Sequence, residues 1–129
     1  MNRSSTLLDR KAVFVVDDDP SMLKGMRRLL KQYGYEAVPF ETAKSLRDHG
    51  NFDGAVCIVL DINLSDGSGI ELRHQLAQRG VKVPVIYITG NDSEATRMAA
   101  LASGCLAYLT KPFTAQSLID PIARAAAQT

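Results

Sequence analysis

The chain has 129 residues, 46% of them apolar and 22% charged, with a formal net charge of +1. That length holds one domain around one core, and the near-neutral balance supplies no global field to draw in nucleic acid or an anionic membrane. No apolar run approaches the roughly 20 residues of a membrane span, and residues 1–10 lack the apolar segment of a secretory signal, so the expectation is a cytoplasmic protein.

Residues 1–10 are expected to form a flexible N-terminal segment and residues 11–129 a single domain. A strand is expected near 12–17, apolar from Ala12 to Val16 and ending in Asp17 and Asp18. Asp19, Pro20 and Ser21 then open a helix near 20–33, with proline close to the first helical position, where its missing N–H is harmless. Met22, Met26, Leu29 and Leu30 form one stripe, with Lys24, Arg27, Arg28 and Lys31 largely off it, a 3.6-residue period with a basic outer face. Gly34 closes this helix. A strand near 35–39 and a helix near 41–49 follow. The third strand, near 55–61, is apolar from Ala55 to Leu60 and ends in Asp61; Ser65, Asp66 and Gly67 lead into a helix near 67–79 that Gly80 terminates. A strand near 83–89 ends in Thr89, and the helix near 92–103 ends at Gly104. The last strand, near 105–109, precedes Lys111 and Pro112. Thr114 is placed to cap the final helix, near 114–127, whose Leu118, Ile119, Ile122 and Ala126 face inward. His49 and His74 fall on outer helix positions and read as surface residues.

Short Val- and Ile-rich strands are those of a sheet buried on both faces. Their strict alternation with helices implies a parallel sheet with right-handed crossovers. The expected fold is therefore α/β, a doubly wound five-stranded parallel sheet in the order 2-1-3-4-5, with its chemistry at the carboxyl ends of the strands. In that order the fourth strand separates Cys57 from Cys105. Two strand spacings are about 9.6 Å, too far for a disulfide, so both cysteines read as free thiols buried inside strands.

The same order puts Asp17, Asp18 and Asp61 at neighbouring strand ends. Like charges about 4 Å apart repel by roughly 4 kcal/mol at an effective dielectric near 20, so the trio calls for a cation or a raised pKa. Carboxylate oxygens with no histidine or cysteine nearby suit Mg²⁺, with Mn²⁺ as an alternative. Asp61 stands alone at its strand end and is the best nucleophile candidate, since carboxylates form aspartyl-phosphates. Lys111 would supply positive charge to a phosphoryl group, and Thr89 a hydroxyl. The plainer readings are a helix-capping cluster for Asp17–Asp19, a turn residue for Asp61, a strand-end threonine for Thr89, a solvated loop lysine for Lys111 and a core ring for Tyr108. One cap needs one acid rather than three, and Asp19 suffices for that.

Val15 to Asp18, Val59 to Leu64 with Asp66 and Gly67, Ile88 to Gly90, and Tyr108 to Phe113 together resemble the receiver domain of bacterial two-component response regulators, a (βα)5 flavodoxin-like fold. The resemblance covers roughly residues 11–127, with every motif block in order. It implies that Asp61 accepts a phosphoryl group from a histidine kinase or a histidine phosphotransfer protein. It also implies that Asp17 and Asp18 hold Mg²⁺, with Asp18 the more direct ligand, and that Asn63 lends its backbone carbonyl. Lys111 would bind the phosphoryl group next to a cis Lys111–Pro112 bond. Thr89 and Tyr108 would be the switch pair, remodelling the surface of the fourth helix, fifth strand and fifth helix for an output domain or a downstream partner. The basic first helix, otherwise a solvated face, would help dock the kinase. A monomer, or a dimer formed on phosphorylation through the switch surface, is expected, without direct nucleic-acid or membrane binding. The implied role is a signalling switch that catalyses only its own phosphorylation and slow dephosphorylation.

Three other classes fit less well. A phosphatase of the haloacid dehalogenase type wants an acid two residues after its nucleophile, where this chain has Asn63. A flavodoxin-like cofactor binder wants a Ser/Thr/Gly-rich loop after the first strand, where Asp17, Asp18, Asp19 and Pro20 stand. A receiver-like scaffold that never sees phosphate would not need the full set of acids and Lys111.

Overall fold

The computed structural model describes residues 11–128; the flexible segment expected at 1–10 lies outside them. Five parallel strands, β1 (Ala12–Val16), β2 (Glu36–Phe40), β3 (Ala55–Asp61), β4 (Val85–Thr89) and β5 (Ala107–Thr110), lie in the order β2-β1-β3-β4-β5. This is the expected order. Its switch point falls between β1 and β3, where successive crossovers leave in opposite directions and open a crevice. The helices are α1 (Pro20–Gln32), α2 (Ala43–His49), α3 (Gly69–Gln78), α4 (Glu94–Ser103) and α5 (Ala115–Ala127). No helix among the described residues is long and apolar enough to cross a membrane.

Two apolar cores follow from side-chain alternation along the strands. On one face Val13, Val15, Cys57, Val59, Ile86 and Ile88 pack against α1 and α5; on the other Phe14, Ile58, Leu60 and Tyr87 pack against α2, α3 and α4. Every residue of β3 is buried, so the element that presents Asp61 is held from both sides.

Caps account for most element boundaries. Asp19 accepts the Ser21 amide at 3.0 Å and starts α1 with Pro20 in its first turn. Thr42 and Ser45 form a reciprocal capping box, so α2 begins at Ala43 rather than near 41. Ser93 caps α4, and Thr114 caps α5 as expected. At the end of α3 the amides of Gly80 and Val81 return to Ala77 and Leu76, and Gly80 takes φ +84°, a conformation that costs glycine little.

Four further details depart from the sequence reading. The stripe of α1 is Leu23, Met26 and Leu30, with Met22 and Leu29 only half-buried at its edge. In α5 Ala125 is the buried residue rather than Ala126, and the helix runs on through a buried Pro121. β4 starts at Val85, because Pro84 has no N–H to give the ladder. β5 starts at Ala107, which leaves the half-buried Cys105 before the strand rather than in it. Both cysteines are free, and burial pushes the Cys57 thiol up to about 12, so it is inert. His49 and His74 are exposed as expected, although the His49 ring stands edge-on to Phe14 and Phe40 at 5.4 and 5.2 Å.

Candidate functional site

Three polar or charged residues are buried among those described: Asp17, Asp61 and Thr89. All three lie at the carboxyl ends of β1, β3 and β4, which are adjacent. A buried charge persists only with a partner, and here the partner is Lys111. Its ammonium donates to Asp17 Oδ2 at 2.9 Å and to Asp61 Oδ2 at 3.2 Å. The Lys111–Pro112 peptide is cis.

Carboxylate oxygens of Asp17, Asp18 and Asp61 lie within 4.8 Å of one another. Asp18 is exposed and faces solvent, whereas Asp17 uses its second oxygen to accept the Asp19 amide at 2.9 Å. Burial raises the pKa of Asp61. The Asn63 amide, 3.0 Å from Oδ1, opposes that rise, Asp17 adds to it and Lys111 again opposes it. Burial alone would lower the pKa of Lys111, but the hydrogen bonds and charges of Asp17 and then Asp61 outweigh it and raise the value. One ammonium thus shares two buried carboxylates, with a third acid open at the rim. The donor set is all hard oxygen, which fits a small divalent ion.

The loop after β3 differs from the expected direct entry into a helix. Asn63–Leu64 and Gly67–Ser68 pair antiparallel, and α3 starts only at Gly69, capped by Ser68. Asp66 does not serve α3 at all. Its two carboxylate oxygens accept the amides of Ala43 and Lys44 at 2.9 and 3.0 Å, which ties this loop to the start of α2. Those two bonds, the Ala43 amide first, hold the Asp66 carboxyl below its usual value. Gly69 donates to the Ile62 carbonyl at 2.8 Å, and a β-carbon on it would stand 2.3 Å from the Asp61 carbonyl oxygen. The close approach therefore requires glycine at position 69. In Gly69→Ala the clash is with backbone, so the loop itself must move. Unfolding free energy should fall by about 2 kcal/mol or more, and a urea titration would show it; an unchanged midpoint would mean that the loop yields freely.

Thr89 Oγ1 donates to the side-chain oxygen of Asn63 at 3.1 Å and accepts the Asn91 amide at 3.0 Å. Tyr108 is half-buried. Its hydroxyl donates to Asp92 Oδ1 at 2.8 Å, Arg97 pairs with Asp92 Oδ2 at 2.7 Å, and the same guanidinium lies 5.8 Å from the centre of the Tyr108 ring. The Tyr108 hydroxyl and then Arg97 lower the pKa of Asp92. The structure thus brings Asp17, Asp18, Asp61 and Lys111 into one group, and joins Thr89 to it through Asn63. Tyr108 stands apart, on the outer strand. The contacts of the Asn63 side chain, Asp66, Gly69 and Asp92 escaped the sequence reading, in which Asn63 entered through its backbone carbonyl and Asp66 as a turn residue. Each acts through a contact with another element, and of these only Asp66 was read as part of a turn.

Comparison with known proteins agrees with this geometry. The family model described as response regulator receiver domain matches residues 13–123. Nodulation protein W of Bradyrhizobium diazoefficiens is 34% identical over 113 residues, which is 88% of this chain and 50% of that protein. Response regulator protein TodT of Pseudomonas putida is 28% identical over 115 residues, 88% of this chain and 51% of that protein. The chain thus spans about half the length of these curated relatives. Among solved structures, a receiver domain protein from Methanospirillum hungatei superposes with a TM-score of 0.81 at 28% identity, covering 92% of this chain and 94% of that one.

Proposed function

Because the chain belongs to the response regulator receiver domain family and is by that a switch of two-component signalling, we propose that Asp61 is its phosphoacceptor and that Asp17, Asp18, Asn63, Thr89 and Lys111 complete the site. The observation that carries this reading is the burial of Asp61 at the switch point, 3.2 Å from an ammonium that also holds Asp17. An Oδ of Asp61 attacks phosphorus, the P–N bond of a donor phosphohistidine breaks, and the imidazole leaves with the electron pair. Water later attacks the aspartyl-phosphate and releases inorganic phosphate. Mg²⁺, when bound, supplies positive charge to the phosphoryl oxygens.

Each residue has a task that its position supports. Asp17 and Asp18 offer oxygens to the ion, with Asp18 free to turn because it is exposed. The Asn63 amide fixes one oxygen of Asp61, and its carbonyl is assigned to the ion. Lys111 follows the charge from Asp61 to the new phosphoryl group. Thr89 gives its hydroxyl to a phosphoryl oxygen, and the Tyr108 ring turns inward to remodel the α4-β5-α5 surface for an output domain, a downstream protein or a second copy.

Docking of a donor has support as well. An apolar groove formed by Met22, Met26, Leu29, Pro112 and Phe113 runs beside Lys111, and exposed Lys24, Arg27, Arg28 and Lys31 lie on the same helix. It suits a donor helix that is apolar on one side and acidic on the other.

The test is intact mass after incubation with a small phosphodonor and Mg²⁺. One phosphoryl adduct per chain is expected, and its absence would overturn the reading. Asp18→Asn removes one charge from the ion's site without touching the Lys111 bridge. Its Mg²⁺ affinity should drop at least tenfold by calorimetric titration, the equivalent of about 1.4 kcal/mol, and an unchanged affinity would remove Asp18 from the ligand set.

A further inference from the structure

The hydroxyl protons of Thr89 and Tyr108 are both committed elsewhere. Thr89 is buried and has one proton, which goes to Asn63 Oδ1 at 3.1 Å, while the Asn91 amide takes a lone pair at 3.0 Å. Donation to a phosphoryl group on Asp61 therefore requires the bond to Asn63 to break. Tyr108 gives its only proton to Asp92 at 2.8 Å, a bond to an ionised acceptor and so stronger than a neutral one. Arg97 reinforces that hold twice, pairing with Asp92 at 2.7 Å and lying 5.8 Å from the Tyr108 ring centre. An inward turn of the ring forfeits these contacts.

We propose that Asn63 and Asp92 are the restraints of the resting state, each holding one member of the Thr89–Tyr108 pair and so setting how much phosphoryl binding is needed to throw the switch. The proposal rests on the phosphoacceptor reading above. Thr89 and Tyr108 pack on the same face of the sheet as Tyr87, on neighbouring strands, so release of one side chain opens space beside the other. Asn63 and Asp92 are both exposed and come from the loops after β3 and β4. They hold the pair without forming part of the core, and either can be removed without leaving a cavity. Asn63 has a double position: its amide orients Asp61 while its side chain holds Thr89. The residue next to the reacting carboxylate is thereby wired to the switch.

A ligand that favours the released state binds more tightly when the resting state is weakened. The experiment is a titration with beryllofluoride, a phosphoryl analogue, in saturating Mg²⁺, followed by backbone amide NMR. Asn63→Ala and Asp92→Ala should each bind about three- to tenfold more tightly than the wild type, the range of one hydrogen bond. The gain in Asn63→Ala should vanish when Thr89→Val is added, and that in Asp92→Ala when Tyr108→Phe is added. Without analogue, the amides around Tyr108 in Asp92→Ala should already lie on the path toward the saturated wild-type spectrum. Unchanged or weaker affinity, or gains that persist in the double variants, would overturn the restraint while leaving Asp61 as acceptor. No saturation in the wild type would instead sink the phosphoacceptor reading, and the restraint with it.

Discussion

Asp61→Asn should accept no phosphoryl group at any donor concentration, and in metal-free buffer at neutral pH it should unfold at a higher urea concentration than the wild type. The first result follows from loss of the attacking oxygen's charge. The second follows from the environment that makes the oxygen available. Burial, with Asp17 adding to it, raises the Asp61 pKa above its ordinary 3.8 despite the Asn63 amide and Lys111. With the folded value above the unfolded one, the unfolded chain loses its proton first as pH rises. Wild-type stability therefore declines from about pH 3.8 upward and stays reduced above the folded pKa. The asparagine has no such loss, so its advantage should be full at neutrality, fade as pH falls through the raised folded pKa of Asp61 and be gone below 3.8. Urea midpoints of both proteins across the acid range would show it. A gap that does not change with pH would mean that the raised pKa is not its source. Adding Mg²⁺ should close the gap from the wild-type side, since an ion that binds only the folded chain stabilises it by mass action.

Lys111→Ala should have the largest effect on the fold. Its side chain is about a quarter exposed, and its ammonium is the hydrogen-bonded cation between Asp17, fully buried, and Asp61. Removing one partner of a buried pair strands the other, at a cost of about 3 kcal/mol or more, and here two carboxylates are stranded together. The same ammonium occupies the place where positive charge is wanted, so its loss should make Mg²⁺ binding roughly tenfold tighter, as expected for removing one unit charge a few ångströms away at an intermediate dielectric. Phosphoryl acceptance should still fall, because the group that follows the charge is gone. Chemical denaturation with and without Mg²⁺ and calorimetric titration separate these effects. A variant that is both as stable as wild type and no tighter for Mg²⁺ would reduce Lys111 to a surface lysine. For this reason stability, ion affinity and acceptance must be read separately at this position. They move in different directions.

The main outline of the site was legible in the amino-acid string because each strand signs its own end. An apolar run that stops at an acid, as at Val16–Asp17 and Leu60–Asp61, announces both a buried strand and the charge at its mouth. Strict alternation of strands and helices with right-handed crossovers then leaves few sheet orders, of which 2-1-3-4-5 is the common one for five strands. That is why the sequence pattern puts Asp17, Asp18, Asp61, Lys111 and Thr89 at one rim. Boundaries were less legible. Pro84 shortened β4, the pairing of Asn63–Leu64 with Gly67–Ser68 delayed α3, and Cys105 fell outside β5, since each boundary lies where backbone hydrogen bonding starts or stops rather than where the apolar run does.

What periodicity and composition determined by themselves was the α/β class and the acids that end its strands; the strand order followed from the common arrangement of five such units. These depend on local patterns repeated along the chain. The tertiary structure alone decided who restrains whom. Asp66 caps a helix more than 20 residues earlier in the chain, Gly69 is seated against the Asp61 backbone, Asn63 takes the proton of Thr89, and Asp92 takes that of Tyr108. A loop side chain has no period and no fixed neighbour. Its partner is set by where folding leaves the next loop, so its role can be read only once the strands have brought those loops together.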